Sequence, residues 1–182
     1  MSLRMDFGRL FTWFMVMMVS FPLFSDQVAN ASEALGPIVV ASLFGSEAAK
    51  TPAVDFELAD LNGSVVRLSK FRGERPVLIY FWATWCPYCN SVKPDIAKLR
   101  EKTGPGEMEI LAINVGGSDS LERLKRYQEG HPVSWPILYD GDGKVSKAYG
   151  VKGIPLFVLV NKEGNVVYRD NEPPSDVRKY LH

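Results

Sequence analysis

The sequence predicts an α/β fold in which a mixed central sheet is flanked by helices and preceded by a β-hairpin. Three observations predict it. Val77–Ala83 (VLIYFWA) and Glu109–Val115 (EILAINV) are apolar runs rich in β-formers, as expected of strands covered on both faces. Segments of helical periodicity follow each run, and strand–helix–strand alternation requires a parallel crossover. Asp60-Leu61-Asn62-Gly63 and Lys162-Glu163-Gly164-Asn165 are turn signals between short strand-like runs, which place antiparallel hairpins at both ends.

Taken in order, Val54–Leu58 and Val65–Leu68 are expected to pair across Asn62-Gly63, because Asn-Gly tolerates the positive φ values of a tight hairpin. Val77–Ala83 follows Pro76 and is the central strand. Pro87 to Lys102 has helical spacing, with Val92, Ile96 and Leu99 on one face and Lys93, Lys98, Arg100 and Lys102 outward. Pro94 is expected to kink it. After Glu109–Val115, a helix is expected from Ser118, through Leu121, Leu124 and Tyr127, to Gly130. The proline-broken segment His131–Pro136 leads into a short strand, Ile137–Tyr139, and then one or two helical turns at Lys144–Tyr149. Pro155–Asn161 and Val166–Arg169 form the closing hairpin, and Ser175 is placed to cap a last short helix through Leu181.

Within 182 residues, 21 basic and 21 acidic side chains give a formal charge of zero. That speaks against nucleic acid as a partner, since phosphate binding depends on clustered Lys and Arg. An apolar share of 46% with 23% charged residues is globular rather than disordered. Two cysteines can neither staple a miniprotein nor supply the four ligands of a structural zinc site. Residues 1–31 read as an export signal: Arg4 and Arg9 precede the uncharged stretch Leu10–Phe24, and Ala29-Asn30-Ala31 offers a cleavage site. As a helix that stretch would rise about 22 Å, short of the roughly 30 Å hydrocarbon core, and Pro22 interrupts it; the alternative is a retained N-terminal anchor. Residues 32–51, rich in Ala, Ser and Gly, read as a linker to a domain at 52–182. The expected location is periplasmic or otherwise extracytoplasmic, where a nearby cysteine pair oxidises unless something reduces it.

The chemistry-bearing segment is Phe81-Trp82-Ala83-Thr84-Trp85-Cys86-Pro87-Tyr88-Cys89. Cys86 stands where the apolar strand feeds a helix, so free backbone N–H groups and the positive dipole end favour its thiolate. Pro87 takes the first helical position, where its missing N–H costs no bond. Cys89 lies one turn on, close enough to attack a sulfur bonded to Cys86, so Cys86 is expected to be the nucleophile and Cys89 the resolving thiol. Trp85 is expected to form surface around the thiol. Competing readings are weaker. A zinc half-site needs two more ligands, and beyond carboxylates only His131 and His182 are available. A structural disulfide closing so short a loop would constrain the unfolded chain little.

The sequence resembles the thioredoxin superfamily, and within it the exported TlpA/ResA-like thiol–disulfide oxidoreductases. The match rests on Phe56-x-Leu58-x-Asp60-Leu61-Asn62-Gly63 with Leu68-Ser69-x-Phe71-Arg72-Gly73, on Tyr80 through Cys89, on Pro94, and on Gly153-Ile154-Pro155. It runs from about residue 52 to the end of the chain. The resemblance implies a thioredoxin-like three-layer sandwich, a redox-active Cys86–Cys89 disulfide with no further cofactor and no metal, and a cis Pro155 facing that disulfide. It implies supporting or substrate-binding roles for Trp85, Pro87, Tyr88, Ile154 and Pro155, the Ile154 backbone being free to pair with an extended substrate strand. It also implies a monomer acting on protein thiols and disulfides, a membrane electron donor of DsbD/CcdA type, and roles such as cytochrome c maturation. Two positions depart from the pattern. The buried acid before the Phe-Trp pair is Tyr80 here, and the glutamate three residues after the second cysteine is Val92. Proton transfer at Cys89 is then left to water or to a carboxylate from elsewhere, such as Glu57.

The expected activity is reduction of protein disulfides. The alternatives are a disulfide donor, a metal chaperone using both cysteines, and a peroxiredoxin-like peroxidase. The last requires Pro-x-x-x-Thr-x-x-Cys, where this chain has Ile79 and Ala83. Asp140-Gly141-Asp142-Gly143 hints at calcium but lacks the later ligands of an EF-hand loop, so a turn is expected. Glu122, Arg123, Lys125, Arg126 and Glu129 read as a solvated helix face.

Overall fold

The computed structural model describes residues 51–180. The export signal and the linker up to residue 50 lie outside the described residues, as do Leu181 and His182. The elements are β1 (Thr51–Pro52), β2 (Glu57–Ala59), β3 (Val65–Arg67), a 3-10 turn (Leu68–Phe71), β4 (Val77–Trp82), α1 (Pro87–Ser91), α2 (Lys93–Glu107), β5 (Glu109–Asn114), α3 (Leu121–Gly130), β6 (Ile137–Tyr139), α4 (Lys144–Ala148), β7 (Leu156–Val160), β8 (Asn165–Asp170) and a final 3-10 turn (Arg178–Tyr180).

Six strands form the main sheet in the order β1-β8-β7-β4-β5-β6, and β2 pairs with β3 as a separate hairpin. β4 lies at the centre, parallel to β5 and antiparallel to β7, with Tyr80 opposite Ala112 on one side and Phe157 on the other. Every residue of β4 is buried, which is why its sequence is a continuous apolar run rather than an alternating one. The pleat divides its side chains between two cores. Leu78, Tyr80 and Trp82 pack with Cys89, Val92, Ile96, Leu99 and Leu124 on the face covered by α1, α2 and α3. Val77, Ile79 and Phe81 pack with Phe56, Leu68, Val145 and Tyr149 on the other. The result is the expected three-layer arrangement, and it delivers the end of β4 directly into α1.

Several expectations need correction. The first strand begins at Glu57 rather than Val54, because the Asp55 carboxylate accepts the N–H groups of Phe56 (3.0 Å) and Ser69 (2.8 Å) and holds that stretch out of the ladder. Thr51, expected in the linker, pairs with Val166 in β1. The helix after β5 is capped by Ser120, whose hydroxyl accepts the Arg123 N–H (3.2 Å), and not by Ser118. Ser175 caps no helix; the Asp176 carboxylate accepts the Arg178 N–H (3.0 Å) and the chain there makes only a 3-10 turn. The Pro94 kink is found as a break: Val92 separates α1 from α2, and Pro94 occupies the first turn of α2. Asp140 sits in the expected turn, with the Gly143 N–H on its carbonyl (3.1 Å). Its buried carboxylate caps α4 by accepting from Val145 N (3.2 Å), Ser146 N (2.7 Å) and Ser146 Oγ (2.6 Å).

Candidate active site

β4 ends at Trp82, and four residues later Cys86 becomes the cap of α1: its sulfur accepts the Cys89 N–H at 3.1 Å. Cys86 and Cys89 are joined in a disulfide. Cys89 is fully buried, whereas Cys86 keeps 5% of its surface. Pro87 stands at the start of α1. The flanking Trp85 and Tyr88 are 51% and 44% exposed, two of the four large apolar side chains on the described surface. Across from them, the Ile154–Pro155 peptide is cis, and the Ile154 carbonyl oxygen lies 3.9 Å from Cys86 Sγ. The residues expected from sequence are thus brought together around one sulfur.

The surroundings hold residues that the sequence does not point to. Tyr80, in the place of the usual acid, is fully buried and stacked on Phe157 (centroids 4.9 Å apart), and its hydroxyl donates to the Cys89 carbonyl at 2.6 Å. Burial pushes its phenol far above the ordinary range, so it stays a neutral donor. Glu57 is paired with Arg67 on the exposed hairpin. Asp119 is buried and grips the loop before Cys86. Its carboxylate accepts from the Thr84 N–H (2.8 Å), the Thr84 hydroxyl and the Asn114 amide (2.7 Å), with Arg123 at 3.5 Å. On the opposite rim, the Tyr88 hydroxyl donates to Glu172, and the Asn171 amide donates to the Pro155 carbonyl.

Lys93, expected to face outward, lies half-buried over two rings. Its ammonium is 4.2 Å from the Trp82 centroid and 4.6 Å from that of Tyr127, whose hydroxyl it contacts at 3.1 Å. Desolvation lowers its pKa to about 8. Arg100 is likewise held inward, donating to the Met108 carbonyl at 2.9 Å and lying 3.5 Å from Glu109. Spacing alone marks these as solvent positions; long cationic side chains can still lay their stems and heads on buried aromatic or carbonyl surface.

A disulfide at a strand-to-helix junction, faced by a proline loop and ringed by exposed aromatics, is a thiol-exchange centre. The Redoxin family model matches residues 46–181, which includes all of it. The chain belongs to the Redoxin family. It is 32% identical over 153 residues to the thiol-disulfide oxidoreductase ResA of Geobacillus thermodenitrificans, spanning 81% of this chain and 86% of that one. The ResA of Halalkalibacterium halodurans is 31% identical, over 77% and 80% of the two chains. Among solved structures, the exposed lipoprotein thioredoxin of Streptococcus pneumoniae superposes with a TM-score of 0.61 at 28% identity, over 70% of this chain and 98% of that one. This Redoxin is therefore a thiol–disulfide oxidoreductase of ResA type within the thioredoxin superfamily. Asp119 and Lys93 are features of its own geometry that only tertiary contacts reveal.

Proposed function

We propose that the chain reduces protein disulfides outside the cytoplasm, with Cys86 as nucleophile and Cys89 as resolving thiol. The observation that carries the reading is the asymmetry of the pair: Cys86 sits at a rim of exposed aromatics while Cys89 is fully enclosed. A bulky substrate can meet only the Cys86 sulfur. The Cys86 thiolate attacks a substrate disulfide, forming a mixed disulfide and releasing one substrate thiolate, which takes a proton from water. Cys89 then loses its proton and attacks Cys86 Sγ; the Cys86–Cys89 bond forms and the second substrate sulfur leaves. Trp85, Tyr88 and the Ile154 backbone provide the docking surface, with Pro87 and Pro155 holding its two sides.

The surroundings of Cys86 support the reductive direction. Strong oxidants owe their potential to a stabilised reduced form. Here the sulfur receives one backbone N–H and faces a carbonyl oxygen, with no cationic side chain among its contacts in the described residues. Beyond that one N–H at the start of α1, no cationic partner among the described residues stabilises the reduced form, and a dithiol so placed gives up electrons more readily than one with such a partner. Residues 1–31 support export, and a reductase working outside the cytoplasm needs an electron source, for which a membrane donor is the fitting class. Cytochrome c maturation is one process that consumes such reducing power.

The test compares both directions on one substrate. The reduced chain should reduce a disulfide-bonded protein stoichiometrically, and the oxidised chain should oxidise the same reduced protein much more slowly. Cys86→Ser should abolish both reactions. Faster oxidation than reduction would assign the disulfide-donor role instead.

A further inference from the structure

Neither carboxylate that commonly serves the resolving thiol is present, since Tyr80 and Val92 occupy those positions. Yet a thiolate must form at Cys89, which is fully buried, and a buried anion without a countercharge is costly. Tyr80 cannot supply one: it is neutral and its hydroxyl is committed to the Cys89 carbonyl.

Lys93 can. It follows Cys89 by four residues, across the junction at Val92 between α1 and α2, where the backbone keeps αR angles (φ −87°, ψ −9°) and the Val92 N–H donates to the Tyr88 carbonyl at 3.3 Å. Cys89 belongs to the buried cluster that holds Trp82, and the Lys93 ammonium rests on the Trp82 ring; Asn90, next in the chain to Cys89, accepts from the Tyr127 hydroxyl that Lys93 contacts. Among the described residues Lys93 makes no ion pair. Instead it is tied to the active-site loop by a hydrogen-bond chain. Lys93 Nζ donates to the Tyr127 hydroxyl (3.1 Å), which donates to Asn90 Oδ1 (2.7 Å), and Asn90 Nδ2 donates to the Thr84 carbonyl (3.2 Å). The remaining polar groups nearby are accounted for. Tyr80 faces the site from β4, Tyr127 from α3, and His131 stacks on Tyr127 with centroids 4.1 Å apart. Asp119 is bound by Thr84, Asn114 and Arg123, and Asp95 pairs with Lys98 at 3.0 Å.

We propose that Lys93 is a positioning residue for the resolving step, its ammonium being the countercharge for the Cys89 thiolate. This rests on the assignment of Cys86 as nucleophile and Cys89 as resolving thiol. A cation replaces the family's carboxylates, so Cys89 is helped by electrostatic stabilisation of its anion rather than by a base, and its proton passes to water. Desolvation holds the Lys93 pKa near 8, which leaves the ammonium mostly charged at neutral pH.

The reduced full-length chain reacting with 5,5′-dithiobis-(2-nitrobenzoate) separates the two steps. Attack by Cys86 releases one thionitrobenzoate and leaves a mixed disulfide; attack by Cys89 on Cys86 Sγ releases the second. In Lys93→Met the first phase should stay within about twofold of wild type. The second should slow about tenfold at pH 7, with its pH midpoint raised by about one unit, because loss of a nearby cation disfavours the thiolate. Lys93→Arg should restore the second phase. Lys93→Gln, with the same expected result, serves if the methionine variant does not fold. An unchanged second phase, equal slowing of both phases, or an arginine variant as slow as the methionine one would overturn the proposal. Release of a single thionitrobenzoate by the wild type would instead overturn the resolving assignment, and this proposal with it.

Discussion

Cys89→Ala is expected to stop turnover with a protein disulfide, by about two orders of magnitude or more, while leaving the first attack intact. The variant should accumulate a covalent adduct through Cys86, seen as a band on non-reducing gels that dithiothreitol dissolves. The geometry explains the size of the effect. Cys89 is enclosed and its N–H donates to Cys86 Sγ at 3.1 Å, so no other thiol reaches that sulfur from within the protein; the chain has only these two cysteines. Turnover at the wild-type rate without an adduct would mean that substrates are resolved by their own second thiol, and the division of labour would be wrong.

Asp119→Ala is expected to be the most damaging change outside the cysteines. The substitution strands the Thr84 N–H, the Thr84 hydroxyl and the Asn114 amide, all buried and all now bonded to one carboxylate. A buried donor left without an acceptor costs about 1–3 kcal/mol, and such losses within one network add incompletely. The expected loss is about 3 kcal/mol in urea unfolding, with Asp119→Asn intermediate because one oxygen remains to accept. Both steps of thiol exchange should slow together, since Thr84 carries the loop that sets Cys86. A loss below about 0.5 kcal/mol, the range of ordinary surface changes, would show that the loop is held by other contacts.

Asp119 and Lys93 are harder to read from sequence than the cysteines. Cys86, Pro87, Cys89 and the buried strand before them form one local pattern, in which composition, spacing and turn chemistry agree; the fold follows from the same kind of signal. Asp119 carries no such mark. Between Ser118 and Ser120 it looks like part of a helix start, and its partners Thr84 and Asn114 lie on other elements. Periodicity itself misplaces Lys93, because it predicts a face but not what covers it. The Trp82 and Tyr127 rings turn a solvent position into a half-buried one. At Asp55 and Ser120, side chains competing for backbone N–H groups move element ends by two or three residues. The short helix expected after Ser175 gives way to a 3-10 turn organised by Asp176.

The central claim is that this pair donates electrons. The reduction potential of the Cys86–Cys89 couple, measured at pH 7 against a thiol buffer on the full-length chain, tests it most directly. Thioredoxin stands at about −270 mV and the strong oxidant DsbA at about −120 mV. A value below about −200 mV is expected, on the thioredoxin side of these two. A value near −120 mV would contradict the account, because it would require a stabilised reduced form that the surroundings of Cys86 do not supply.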